Sequence, residues 1–327
     1  MTANIDLKEI SFEILQRCIN NCIYCSSNSS NDSKSMIEFS VFQNVIEDAV
    51  SLGLERVCFS GGEPFLHPDL HRMISYAKSK NIEVYVYTSG IKESNGIKSS
   101  LDHTMLNDLK DKNLDRLIFN MQAPEAKLYD KIMGTSGCFD LLVGSIKNSI
   151  NTGIYTEVHF VPMKINYERI SDTIKLLKDL QVNQISFLRL VLQGRALKNR
   201  ELVQLSDSEL EALTDSLSAL KSNEKELKIR IGVPLSGKQE QIKCNAGSGK
   251  LIIRYDGAVY PCEAYKYIEC ITNGRIYPDN INTKSVKEIW YHSPFLSVLR
   301  EKITSFHNQD LCCEVCPAQM LLKERID

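Results

Sequence analysis

The sequence predicts an α/β protein built on a parallel sheet, followed by a small second unit organised around cysteines. Three observations predict it. Through roughly the first 200 residues, apolar strand-like segments alternate with amphipathic helix-like ones, and such alternation implies parallel strands joined by right-handed crossovers. Three cysteines crowd into Cys18–Cys25, at the end of the first strand-like segment. From about residue 206 the repeat stops, and a second group of cysteines surrounds a hairpin signal.

The predicted strands are Ser11–Cys18, Arg56–Gly61, Glu83–Thr88, Arg116–Gln122, Thr156–Met163 and Gln184–Val191. Between them lie the predicted helices Glu38–Leu52, Pro68–Lys80, Met105–Lys112, Phe139–Thr152 and Glu168–Leu180. In the first helix Phe42, Val45, Ile46, Ala49 and Val50 recur at helical spacing, whereas Val84-Tyr85-Val86-Tyr87 suits a short β-strand. Leu210, Leu213, Leu217 and Leu220 mark a further amphipathic helix that runs into the charged stretch Lys221–Lys228, read as a solvated helix end and linker. The expected organisation is therefore residues 1–205 for the sheet, 206–240 for a helical linker and 241–327 for the cysteine-bearing unit.

The run Cys18-Ile19-Asn20-Asn21-Cys22-Ile23-Tyr24-Cys25 carries the chemistry. Three thiolates at this spacing can hold three corners of an iron–sulfur cube and leave the fourth iron open to a ligand. Structural zinc wants four protein ligands, and this segment supplies three thiolates with no histidine before His67. The residues that follow, Ser26–Ser33, are polar and turn-forming, so the motif belongs on a loop that small molecules can reach. About 40 residues further on, the second strand runs into Gly61-Gly62-Glu63-Pro64, where backbone without Cβ can approach a ligand closely.

With these two motifs the chain resembles the radical S-adenosylmethionine (radical SAM) enzymes. The resemblance implies that Cys18, Cys22 and Cys25 bind a [4Fe-4S] cluster whose open iron chelates SAM, with Tyr24 in the aromatic position before the third cysteine. Gly61, Gly62, Glu63 and Pro64 look like the motif that meets the methionine amino group. It also implies that the six strand–helix units form a partial (β/α)6 TIM-like barrel. In parallel barrels chemistry gathers at the carboxyl ends of strands, which marks Thr88 and Ser89 after strand three, Asn120 and Gln122 on strand four and Arg189 on strand six as SAM contacts. A forked guanidinium at Arg189 suits a carboxylate such as that of SAM's methionine. His159 on strand five is read as a satisfied or helix-facing histidine, with acid–base service as the alternative. Val191–Ala196 resembles a Gly-Arg-Ala turn found in relatives, in which Arg195 closes the barrel mouth.

The second cysteine group consists of Cys244, then Cys262 at the end of a hairpin turning at Asp256-Gly257, then Cys313 and Cys316 in a C-x-x-C. It resembles the start of a SPASM domain and its shorter relative, the twitch domain, a small α+β unit that holds auxiliary iron–sulfur clusters. Cysteines stop at Cys316, so one auxiliary [4Fe-4S] cluster is expected, with Cys312 as the rival to Cys313. Four cysteines suit structural zinc equally well by geometry; the neighbouring resemblance favours iron–sulfur. Four cysteine ligands leave no open iron, which favours electron transfer over substrate binding. Cys58 is read as core, and Cys138 and Cys270 as free loop thiols.

Composition limits the setting. Eleven cysteines without a secretory signal point to metal ligands in a reducing cytoplasm, and no segment approaches a membrane span. A formal charge of −2 argues against general attraction to nucleic acid. The implied activity is reductive cleavage of SAM to a 5′-deoxyadenosyl radical that removes a hydrogen atom from the substrate, with a flavodoxin or ferredoxin-type electron donor. A peptide or protein side chain is the expected substrate, as for ribosomal peptide maturases. A small metabolite, such as an aminocyclitol or cofactor precursor, is the alternative, and an iron–sulfur electron carrier the non-enzymatic one. With seventeen residues before Cys18, recognition of a leader peptide is expected to need a separate binding protein or the barrel itself.

Overall fold

The computed structural model describes residues 6–233, 235, 244–272, 274–308 and 316–318. Strand β1 (Glu9–Leu15) is followed by α1 (Phe39–Val50), β2 (Arg56–Gly61), α2 (Leu70–Ser79) and β3 (Glu83–Thr88). A small hairpin, β4 (Ile91–Ser94) and β5 (Ile97–Ser100), leads to α3 (His103–Asp111), β6 (Arg116–Asn120), α4 (Ala126–Met133), α5 (Phe139–Thr152) and β7 (Thr156–Phe160). Then come α6 (Ile170–Asp179), β8 (Gln184–Phe187), the short α7 (Arg195–Lys198) and α8 (Arg200–Val203), the long α9 (Asp207–Asn223) and β9 (Lys228–Ile231). The C-terminal part holds β10 (Lys250–Ile253), β11 (Val259–Tyr260), α10 (Val286–His292) and α11 (Pro294–Asn308).

Among the described residues, nine strands form one open sheet in the order β11-β10-β1-β2-β3-β6-β7-β8-β9, parallel throughout except for the β10–β11 pair. Phe42 of α1 packs edge-on against Phe12 of β1 and lies 5.5 Å from Phe59 of β2, so the face carrying Phe12 and Phe59 looks toward the helices. Burying each such ring stabilises the fold by about 1.5–3 kcal/mol. Because side chains alternate along a strand, Ser11 and Glu13 then face the barrel interior.

That interior is polar. Along one side Lys250, Glu9, Arg56 and Glu83 meet in sequence across adjacent strands, and further round Arg116 pairs with the buried Glu157. The Tyr85 ring lies between the Arg56 and Arg116 guanidiniums, 4.7 and 4.6 Å from its centroid. Alternating charge gives each ion a partner, which the buried Glu157 needs, while Arg56 and Glu83 remain open to solvent.

All six predicted strands exist, and β2 and β3 have the expected bounds. The others leave the ladder earlier, so Cys18, Gln122 and Arg189 lie on loops at carboxyl ends. Val50, placed on the apolar face of α1, is 42% exposed. Two features differ more deeply. The expected linker contributes α9, capped reciprocally by Ser206 and Glu209, but also β9, a strand paired in parallel with β8. The alternation Lys228-Ile229-Arg230-Ile231, starting at the last residue of the charged stretch, is what makes that strand, since Ile229 and Ile231 are buried. In the cysteine-bearing unit, β10 pairs in parallel with β1, Glu9 opposite Lys250, and so extends the barrel's own sheet. The turn after β10 spans three residues rather than two: Arg254 N–H donates to the Ala258 carbonyl and Gly257 takes a left-handed φ of +86°. Among the described residues no helix is long and apolar enough to cross a membrane.

Candidate active site

The loop after β1 is held from three sides by its backbone. From the helix α4 side, the Asn21 and Ile23 amides donate to the Met133 and Ile132 carbonyls at 3.0 and 2.9 Å. From the turn after β2, the Gly62 and Glu63 amides donate to the Leu15 and Arg17 carbonyls at 2.7 and 2.8 Å. From the turn before α7, Arg195 gives its backbone amide to the Cys25 carbonyl (3.0 Å), Nε to the Cys22 carbonyl (2.8 Å) and Nη1 to the Ser29 carbonyl (2.7 Å). Asn199 Nδ2 adds a bond to the Ile23 carbonyl at 2.9 Å.

The glycine pair after β2 has a purpose the sequence did not reveal. A Cβ on Gly62 would sit 1.8 Å from the Arg17 carbonyl oxygen, and one on Gly61, whose φ is +117°, 2.3 Å from that of Leu15. The close approach is made by the cysteine loop itself. The Glu63 carboxylate is fully buried and accepts from the Thr88 hydroxyl at 2.7 Å, the Ser89 amide at 2.8 Å and the Ser89 hydroxyl. Four sequence-predicted residues, Glu63, Pro64, Thr88 and Ser89, are thus assembled, with Pro64 starting the 3₁₀ turn that follows Glu63. Tyr24 donates its hydroxyl to Asn120 Oδ1 at 2.8 Å, and Gln122, behind it, bridges to β7 through the Val161 amide and the His159 carbonyl.

Cys18, Cys22 and Cys25 lie within one another's electrostatic field. Desolvation pushes the Cys18 thiol up to about 12 and Cys22 well above the usual thiol range, against the lowering influence of Arg195. Such thiols give up their protons when a metal takes their place. Cys262 likewise lies in the field of Cys316 and Cys244, and its pKa is raised by burial first and by Glu263 next. Cys313 and its rival Cys312 lie outside the described residues. Arg189 follows the end of β8, and its charged neighbours include Cys316 and Asp207.

Sequence reasoning missed the connection between the two cysteine sites. Lys266 is 2% exposed, and its Nζ donates to Glu13 Oε1 on β1 and to Ser27 Oγ after Cys25, each at 2.6 Å. Ser27 in turn donates to Glu13 Oε1 at 2.5 Å. Gln193 Nε2, two residues before Arg195, donates to the Ala264 carbonyl at 2.7 Å. Arg195 was foreseen as closing the barrel mouth; here it cradles the cysteine loop. His159 is 8% exposed, inside the barrel, with Nε2 3.0 Å from Glu157 Oε1 and its ring beside Tyr87. Cys58 is buried in β2, Cys138 is buried at the start of α5, and Cys270 is a partly exposed loop thiol.

The chain matches the radical SAM superfamily profile over residues 12–180. It belongs to the radical SAM superfamily. Residues 244–317 match the SPASM iron–sulfur cluster-binding domain. A PqqA peptide cyclase from Gluconobacter oxydans (strain 621H) is 27% identical over 88% of this chain and 77% of its own length. Another, from Rhizobium meliloti (strain 1021), is 23% identical over 93% of this chain and 77% of its own. The crystal structure of Streptococcus suis SuiB bound to S-adenosylmethionine has the same fold, with a TM-score of 0.73 and 16% identity over 91% of this chain and 68% of that one. As a radical SAM enzyme with a SPASM domain, the chain uses a SAM-binding [4Fe-4S] cluster, SAM and an auxiliary cluster. The donor sets fit these groups: one loop presents three thiols with no fourth protein ligand on it, and a second nest gathers thiols from distant segments.

Proposed function

We propose that this radical SAM enzyme modifies a side chain of a peptide or protein. The observation that carries the reading is the likeness to PqqA peptide cyclases, which spans 88% of the chain. When bound, the first cluster and SAM supply a 5′-deoxyadenosyl radical that removes a hydrogen atom from the substrate. Cys18, Cys22 and Cys25 hold the first cluster, and Arg195, Asn199 and the Gly61-Gly62 turn fix the loop that presents them. Backbone of the Gly61–Pro64 turn, together with Thr88, Ser89, Asn120 and Gln122, binds SAM, while the Glu63 side chain acts by fixing Thr88 and Ser89. Tyr24 orients Asn120. Cys244, Cys262, Cys313 and Cys316 hold the auxiliary cluster for electron transfer, and Arg189, with Cys316 among its charged neighbours, serves the methionine carboxylate of SAM.

A flavodoxin or ferredoxin-type donor, a separate leader-peptide-binding protein and a cytoplasmic setting, where thiols stay reduced, belong to the same proposal. The test is anaerobic reconstitution followed by SAM, dithionite and short peptides encoded beside the gene, read by mass spectrometry. A peptide mass change with matching 5′-deoxyadenosine supports the reading. Turnover of a small metabolite with every peptide unchanged overturns it, and failure to bind SAM leaves an electron carrier.

A further inference from the structure

Tyr265 closes the 3₁₀ turn Glu263–Tyr265 that follows Cys262, and its amide donates to the Cys262 carbonyl at 3.0 Å. The side chain is 1% exposed, and its hydroxyl has no hydrogen-bond partner among the described residues. Its charged surroundings are Cys262, Cys316 and Cys244, the three described cysteines of the SPASM nest. A buried phenol usually finds a partner, because leaving its hydrogen bond unmade is destabilising. Phenylalanine would fill the same space without that cost. Whatever these cysteines hold would supply an acceptor, since an iron–sulfur cluster offers sulfide and thiolate sulfurs there.

We infer that the Tyr265 hydroxyl donates a hydrogen bond to a sulfur of the auxiliary cluster and thereby raises its reduction potential. Reduction adds one negative charge to the cluster, and a donor aimed at its sulfurs stabilises the more negative state, so hydrogen bonding to sulfur is one of the settings of cluster potential. Tyr265 is a positioning and tuning residue in this role, not a catalytic one. The inference rests on the auxiliary site holding iron–sulfur, not on the identity of the substrate, and so it can be tested with no substrate present.

The experiment uses the full chain in a Cys22→Ala background, which removes the first cluster, reconstituted anaerobically with or without Tyr265→Phe. Potentiometric titration followed by electron paramagnetic resonance should show the reduced-to-oxidised ratio at a fixed potential falling about tenfold in Tyr265→Phe, equivalent to a shift of about 59 mV for one electron. Hyperfine spectra of the Tyr265 form recorded in H2O and D2O should show an exchangeable proton coupled to the reduced cluster, absent in Tyr265→Phe. An unchanged potential overturns the inference. If Tyr265→Phe fails to load iron, the H2O/D2O comparison on the Tyr265 form decides alone, and absence of an exchangeable coupling overturns it. Metal analysis separates a failed premise: zinc in place of iron in the Cys22→Ala protein overturns the auxiliary-cluster assignment together with the role of Tyr265, and leaves the peptide reading standing.

Discussion

The first cysteine site draws its three thiols from eight consecutive residues, Cys18–Cys25, whereas Cys244, Cys262 and Cys316 are brought together from segments separated by a hairpin and two helices. In the first, local spacing provides the ligands, and the fold's task is to pin the loop's carbonyls from α4, the glycine turn and Arg195. In the second, the fold itself makes the ligand set. Substitutions around the first site should therefore distort chemistry in a protein that still folds. Around the second they should decide whether a cluster loads at all.

The largest contrast comes from removing one thiol at each site. Cys22→Ala should abolish 5′-deoxyadenosine formation while the auxiliary iron remains, and Cys262→Ala should leave SAM cleavage intact but stop turnover of the true substrate. Formation of 5′-deoxyadenosine by Cys22→Ala would sink the assignment of the first site.

Next in size is the link between the sites. Lys266→Met leaves the Glu13 carboxylate buried without its cation, at a cost of about 3–5 kcal/mol. The double variant with Glu13→Leu should recover much of that stability in chemical denaturation. Equal losses in the single and double variants would show that the pair does not act as a unit.

Gly62→Ala should cost about 1–3 kcal/mol as an overpacking defect, since its Cβ meets the Arg17 carbonyl. It should lower SAM affinity, measured by equilibrium dialysis, with auxiliary iron unchanged. Iron lost equally from both sites would erase the distinction drawn between them.

The smallest expected effect lies in the barrel between them. Burial alone would raise the Glu157 pKa, but hydrogen bonds from His159, Ser186 and Arg116 outweigh it and hold the carboxyl at about 2, below the ordinary 4.5. Its contribution to stability is complete above about pH 4.5 and drains away as pH falls toward 2. Glu157→Gln should flatten that acid limb in urea titrations across this range, and an unaltered limb would remove Glu157 as its source.

Much of this was legible in the sequence because it is local. The strands Arg56–Gly61 and Glu83–Thr88 announce themselves by alternation, α5 ends where Gly153 takes a left-handed φ of +75°, and the thiol spacing of Cys18–Cys25 names its cluster without any structure. The strand β9 was hidden because it is only four residues long and begins where the charged stretch Lys221–Lys228 ends. Arg189 lies beyond the end of its strand, which stops at Phe187, so the two-residue period does not fix its direction. The glycine pair was recognised as a ligand-approach turn, but its crowding by the Arg17 and Leu15 carbonyls arises from chain returning from elsewhere.

The sequence by itself determined the α/β alternation and the cysteine spacings, since periodicity and short-range ligand geometry are written within a few residues of one another. Only the tertiary structure decided that Lys266 would reach Glu13 across 253 positions, that Arg195 would hold the carbonyls of a loop more than 160 residues before it, and that the Tyr265 hydroxyl would be buried near cysteines without a partner among the described residues. Contacts of that kind depend on how the β1–β10 pairing brings distant segments to one end of the sheet, and no local pattern encodes which residues will meet there.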